Sequence, residues 1–247
     1  MRTFEHPHHR RIGQVLASLD AARLRECACW FGGGTAIALR QGEYRESVDM
    51  DFMVSEQAGY RDLRHRLMAA GNLAPITRAG CAPIALEREI RADRYGIRMF
   101  VLVEKVPIKF EIVNEGRIQF DVPGRADKVC GVYTLSRTDL AASKFLANAD
   151  RWPDDSVFSR DVIDLAMLDM PPRQLAPALR KAWEAYGATV VTDMRRALDT
   201  LRDRPGRLER CIKALSIALP PAAVQQRLRS LARRLTTLTS DGMEKMS

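Results

Sequence analysis

The sequence predicts an α/β fold in its first half and an all-helical arrangement in its second, on three observations. Short apolar or alternating runs at 27–31 and 48–54 read as strands. Two longer runs, 97–103 and 106–113, are separated by the turn dipeptide Glu104-Lys105, as in a hairpin. Beyond Gly131 the apolar spacing becomes helical and stays so. The expected division is therefore 1–131, a mixed α/β domain, and 132–247, a helical domain.

Taken in order, Ile12, Val15, Leu16, Leu19 and Leu24 fall close to helical spacing and predict one helix over 10–27. The run 27–31 reads as a buried strand that ends at Gly32-Gly33-Gly34, after which Thr35 is placed to cap a short helix over 36–41. Residues 48–54 alternate apolar and polar, as a strand with one polar face would, and a helix follows over 56–70. The helical half reads as segments 136–150, 159–169, 172–186, 189–202, 208–219 and 221–235. They are broken at Trp152-Pro153, Pro171-Pro172, Gly187, Pro205-Gly206 and Pro220-Pro221, and Ser136 and Ser159 are expected N-caps. The last residues, from Ser240, are expected to fray.

Composition narrows the function classes. The chain has 247 residues, 46% apolar and 28% charged, which suits a globular protein with a sizeable core. No apolar stretch approaches the roughly 18 residues of a membrane span. The first residues lack a secretory pattern, so the expected location is cytoplasmic. Five cysteines, at 27, 29, 81, 130 and 211, include no Cys-x-x-Cys pair and are expected to be reduced core thiols. The formal charge of +8 favours a polyanionic partner such as nucleic acid. His6, His8 and His9 are read as a flexible terminal cluster rather than a metal site, and His65 as a solvated helix residue.

The chemistry-bearing signal is Gly32-Gly33-Gly34-Thr35, a short helix, and then Arg45-Glu46-Ser47-Val48-Asp49-Met50-Asp51-Phe52. A glycine turn after a strand lets a triphosphate approach the backbone, and the helix start behind it offers free N–H groups. Two aspartates at i and i+2 on a strand project from one face with Cα atoms about 6.5 Å apart. Like charges so close repel unless a cation lies between them, which suits magnesium (or manganese) bound to substrate phosphates. The expected roles are Asp49 and Asp51 on metal, and Gly33, Gly34 and Thr35 on phosphate. Arg45 and Ser47 either brace the acidic strand or contact phosphate.

The pattern Gly-Gly-Thr-Ala-apolar followed by Arg-x-Ser-x-Asp-apolar-Asp resembles the AbiEii/AbiGii-type nucleotidyltransferase toxins, within the polymerase-beta-like nucleotidyltransferase superfamily. The resemblance runs from about Phe31 to Leu168 and implies a nucleotidyltransferase core with a mixed sheet, followed by helices that complete the active site. It implies a third acid on a later strand, for which Glu111 in Ile108-Lys109-Phe110-Glu111-Ile112 is the match. The other reading of Glu111 is a strand-face glutamate paired with Lys109 or Lys105, and Glu115 is a poorer match because turn chemistry accounts for it.

The family's helical motif falls on Lys144 and on Arg160-Asp161-Val162-Ile163-Asp164-Leu165. The resemblance makes Lys144 a contact to phosphate or to the attacking group, and Asp161 a group that orients it or acts as base; Asp164, one turn on, is expected to cap or brace the helix packing. The implied activity is magnesium-dependent transfer of a nucleoside monophosphate from a nucleoside triphosphate (NTP) to a hydroxyl. The acceptor expected is RNA, particularly a tRNA 3′ end, with a cognate antitoxin as possible partner. The alternatives are a protein or small-molecule acceptor, or a non-catalytic nucleic-acid-binding relic.

Overall fold

The structure, a computed structural model, describes residues 4–240, so the expected fraying of the last residues falls almost wholly outside the described residues. The chain divides into two compact units, residues 1–136 and 137–247.

The first unit begins with α1 (Pro7–Ser18) and α2 (Ala21–Glu26), not one helix. Asp20 breaks the run because its carboxylate accepts from the backbone N–H groups of Ala22 and Arg23 and starts a new helix. The apolar spacing continues across this break, which is why periodicity alone joined the two. Cys27 is then the C-cap of α2, Ala28 takes a positive φ of 48°, and β1 is only Cys29–Phe31. Next come α3 (Gly33–Arg40), β2 (Met50–Val54) and α4 (Gln57–Ala70), with Gly71 in the left-handed conformation ending α4.

Short strands β3 (Ala85–Leu86) and β4 (Arg91–Ala92) precede the long hairpin β5 (Gly96–Val103) and β6 (Val106–Asn114). Both turn residues, Glu104 and Lys105, have positive φ, the geometry that lets a two-residue loop follow the strand twist. A separate two-stranded ribbon, β7 (Lys128–Val129) and β8 (Val132–Tyr133), closes the unit.

The main sheet runs β1-β2-β6-β5-β3, with β4 also pairing β5. It is mixed: β2 runs parallel to β6, and the other pairs are antiparallel. Phe31, Phe52 and Phe110 point to one face of neighbouring strands, Phe31 tilted on Phe52 at 5.3 Å and Phe52 stacked on Phe110 at 5.1 Å between ring centroids. All three are fully buried. This aromatic ladder fixes register, since a one-residue slip would turn each ring to the other face. It thereby also fixes where the intervening polar residues Asp51 and Glu111 project.

The second unit contains α5 (Arg137–Arg151), α6 (Arg160–Met167), α7 (Pro172–Tyr186), α8 (Thr189–Asp203), α9 (Arg207–Ala214) and α10 (Pro221–Ser240). Helix α5 packs on α6, α7 and α8, burying Leu140, Phe145 and Leu146. Ser159 stands at the N-cap of α6 but its hydroxyl caps nothing. Its backbone is left-handed, and the hydroxyl accepts from Arg207 Nη2 at 3.4 Å. Between α8 and α10 lies a groove of about 860 Å³. Buried Leu198, Leu201 and Leu228 line it together with exposed Arg195, Arg202, Arg229 and Arg233. No described helix is long and apolar enough to cross a membrane.

Candidate active site

The site in the first unit is built where β1 ends. Helix α3 begins at Gly33, so Thr35 lies inside its first turn and does not cap it. Thr35 is buried, with Oγ1 2.8 Å from Ser47 Oγ and 2.5 Å from the Asp49 carbonyl oxygen. A carbonyl can only accept, so the Thr35 hydroxyl donates to Asp49 and takes the Ser47 hydroxyl as its own donor. The threonine thus ties the glycine turn to the acidic segment.

Gly33 has φ of 67°, and a Cβ added there would meet Asp51 Oδ2 at 2.3 Å. Glycine is required at this position twice over, for the backbone conformation and for the carboxylate pressed against it. The Gly32 N–H donates to the Asp51 carbonyl at 2.7 Å, which fixes the turn to β2. Gly34 stands half-buried in the first turn of α3.

Strand β2 starts at Met50, so Asp49 precedes it and Val48, expected in the core, is 50% exposed. The alternation of polar and apolar residues extends one pair further than the ladder does. The Asp49 carboxylate is half-buried and makes no hydrogen bond or ion pair among the described residues. Arg45 is 4% exposed, and its Nη1 donates to the Glu46 carbonyl at 2.9 Å.

Asp51 is the direct neighbour of Glu111 across the parallel β2–β6 pair, and Glu111 of Arg98 across β6–β5. Directly opposed residues share a face, so an acid, an acid and a base form a row across three strands. Arg98 Nε and Lys109 Nζ each donate to Glu111 at 2.7 Å. Burial pulls the Lys109 ammonium pKa down, but Glu111, Asp49 and Asp51 outweigh it and hold it above the ordinary lysine range. The two aspartates and this ammonium therefore form one electrostatic group. Glu115, by contrast, is buried and bound by Arg117 through its backbone N–H and guanidinium.

Among the described residues no three His, Cys, Asp or Glu side chains converge to hold a metal. Two adjacent carboxylates still suit magnesium, which commonly takes one or two protein carboxylates and completes its shell with water and substrate phosphates. The Asp49 carboxylate, which makes no direct hydrogen bond or ion pair among the described residues, is the group a cation would satisfy. These oxygen donors fit a hard ion such as Mg2+.

The terminal histidines are misread by the sequence. Residues 7–18 are helical, and His9 is fully buried with Nδ1 2.7 Å from Glu43 Oε1 and Nε2 3.0 Å from the Ser47 backbone nitrogen. No residue spacing signalled this, because the partners lie more than thirty residues away in the chain. The cysteines form no disulfide among the described residues, but Cys81 and Cys130 are only half-buried. The Cys27 pKa is pushed up to about 11 by burial and by the neighbouring Asp62 carboxylate.

In the second unit, Lys144 Nζ lies 2.9 Å from Asp161 Oδ1 and 2.7 Å from Asp164 Oδ2. Arg151 grips Asp161 with two bonds, at 2.7 and 2.9 Å. Lys144, Asp161 and Asp164 are 6%, 2% and 0% exposed. Burial opposes ionisation of Asp161, yet Lys144 and Arg151 overcome it and hold its carboxyl far below the ordinary range. Asp164 thus pairs with Lys144 across α5 and α6.

A sequence profile described as "Nucleotidyl transferase AbiEii toxin, Type IV TA system" matches residues 14–242. No curated protein sequence matches the chain significantly. Among solved structures, that of a candidate nucleotidyltransferase from H. pylori aligns over 100% of this chain and 99% of its own, with 14% identity and a TM-score of 0.54. The protein JHP933 from Helicobacter pylori aligns over 96% and 100%, with 16% identity and a TM-score of 0.42. The first of these likenesses shows the fold.

Proposed function

Because the chain belongs to the AbiEii nucleotidyl transferase toxin family, of a type IV toxin–antitoxin system, we propose that it transfers a nucleoside monophosphate from an NTP to an RNA hydroxyl. The observation that carries the reading is the pair Asp49 and Asp51 beside the Gly33 turn. One carboxylate makes no direct hydrogen bond or ion pair among the described residues, and the other is held against a glycine that admits no side chain.

Asp49 and Asp51 would hold Mg2+ (or Mn2+ in its place), which would supply a Lewis acid for the triphosphate. Gly33, Gly34 and the first turn of α3 present backbone N–H groups to phosphate oxygens. Thr35 and Ser47 keep the Asp49 segment in register with that turn, and Arg45 braces it from the buried side. Lys109 and Arg98, held by Glu111, place positive charge beside the acids, where pyrophosphate charge develops. A third-ligand role for Glu111 requires these two ion pairs to open. Phosphate contact by Lys144 likewise requires it to leave Asp161 or Asp164, and a proton-accepting role for Asp161 works against the cations around it.

For the acceptor, the formal charge of +8 and the arginines along the α8–α10 groove favour RNA, most simply a tRNA 3′ end. The reaction would take place in the cytoplasm, where NTPs and tRNA are at hand, with the system's antitoxin as the regulatory partner.

The test is incubation of the protein with Mg2+, each labelled NTP in turn, and total tRNA, protein extract or aminoglycoside as acceptor. The expected result is label on tRNA, reduced about a hundredfold or more in Asp49→Ala/Asp51→Ala. Label on protein or small molecule alone would replace the RNA reading. Equal labelling by the double variant would overturn the site.

A further inference from the structure

We propose that His9 is a positioning residue that holds the Asp49 segment as a neutral imidazole and lets it go on protonation. The inference rests on the reading that Asp49 binds metal.

The ring is fully buried, and both of its nitrogens are used. A backbone nitrogen can only donate, so Nε2 at 3.0 Å from Ser47 N is the unprotonated nitrogen. The proton must then sit on Nδ1, directed at the Glu43 carboxylate 2.7 Å away. Glu43 also accepts the backbone N–H groups of Glu5 and His6, which fixes the carboxylate that selects this tautomer. From Ser47 the chain of contacts runs through Thr35 to the Asp49 carbonyl.

Helix α1 contributes a second tie, His8 Nε2 to the Val48 carbonyl at 2.9 Å. That bond needs only an Nε2–H and persists whether or not His8 is charged. The Ser47 bond does not persist, because an imidazolium presents two donors and faces the Ser47 N–H with an N–H of its own. A single proton on His9 therefore removes the acceptor two residues from Asp49.

The charged and polar surroundings are few. His6 lies with its ring centroid 5.0 Å from that of His9, Phe4 packs edge-on at 6.5 Å, and Glu43 and Glu46 supply negative charge. Burial, assisted by His6, favours the neutral ring; Glu43 and Glu46 oppose it, and the balance lies below the ordinary histidine value of 6.5. Transfer should accordingly show an acid limb below pH 6.5 that belongs to His9.

The experiment combines two readouts on the full chain. Nitrogen NMR follows the His9 ring and the exchange of the Ser47 amide through a pH titration. Transfer rates are measured over the same range for the parent, His9→Gln, Glu43→Gln and Asp49→Ala. In the parent, Ser47 amide exchange should accelerate and transfer should fall about 10- to 100-fold as the ring protonates. His9→Gln offers a non-titrating acceptor to Ser47, so it should retain most of the neutral-pH rate and lose the limb. Glu43→Gln removes the charge that favours imidazolium and should move the limb to lower pH.

A parent-like limb in His9→Gln, or a Ser47 amide indifferent to ring protonation, overturns the proposal. Loss of transfer in Asp49→Ala beside either result leaves the metal reading standing. Undiminished transfer in Asp49→Ala instead removes the metal reading and with it the functional half of this proposal. If His9→Gln does not fold, the parent titration and Glu43→Gln decide.

Discussion

The two units each hold a cluster of charge, and the clusters are opposites. In the first, the half-buried Asp49 carboxylate makes no direct hydrogen bond or ion pair among the described residues, with Lys109 adding only its charge nearby, and Asp51 is pressed against a glycine. In the second, Lys144, Asp161, Asp164 and Arg151 saturate one another, three of them out of solvent. Buried ions that satisfy one another hold a fold together only while all are present, since removing one strands the rest. Two neighbouring acids repel each other, which costs stability unless positive charge from the protein or a ligand offsets it. The difference separates a cluster with a carboxylate that nothing in direct reach pairs from one whose charges pair with each other.

The sharpest way to break this comparison is Lys144→Met. It leaves the buried Asp164 carboxylate without its cation and should lower unfolding free energy by about 3–5 kcal/mol, read by denaturant melts. A stable but inactive variant would instead make Lys144 a ligand-contacting group.

Gly33→Ala comes next. Its Cβ cannot coexist with Asp51 in place. Transfer should fall about a hundredfold, with roughly 1–2 kcal/mol lost for the left-handed backbone. Unchanged transfer would mean that Asp51 is free to move without consequence.

Acid unfolding sharpens the contrast further. Asp161 has a folded pKa below its unfolded value of 3.8, so its stabilisation is complete above that value and lost as pH falls toward the folded one. Stability between pH 4 and 2 should therefore drop less steeply in Asp161→Asn than in the parent, once the variant's lower starting stability is allowed for.

The smallest effect is expected at Val48. Its 50% exposure means that Val48→Ser should change stability by no more than about 0.5 kcal/mol. A large loss would restore it to the core face that its alternation suggests.

How far the sequence could be read follows from how local each signal is. The β5–β6 hairpin was legible because the apolar runs and a two-residue turn lie side by side. Helix α7 was legible because Pro171-Pro172 and Gly187 punctuate it. The acidic pair and glycine turn could be found because both sit within twenty residues of each other. What failed depended on partners elsewhere. Asp20 splits the first helix by a cap that periodicity does not register. Ser159 has a capping side chain but a left-handed backbone that keeps it from capping. His9 looked like part of a loose terminus because Glu43 and Ser47, which make it a fixed interior group, are invisible from its own neighbourhood.

The parallel pairing of β2 with β6 has a consequence for synthesis. Residues 50–54 can pair with β1 at once, but their parallel partners on the other side, 110–114, have first to leave the ribosome. Contacts of such long sequence separation form late, after the loop between them has been ordered. A growing chain that has reached only Val103 carries both aspartates but neither Lys109 nor Glu111 beside them. That order of assembly completes the charged group around the two aspartates only late in synthesis.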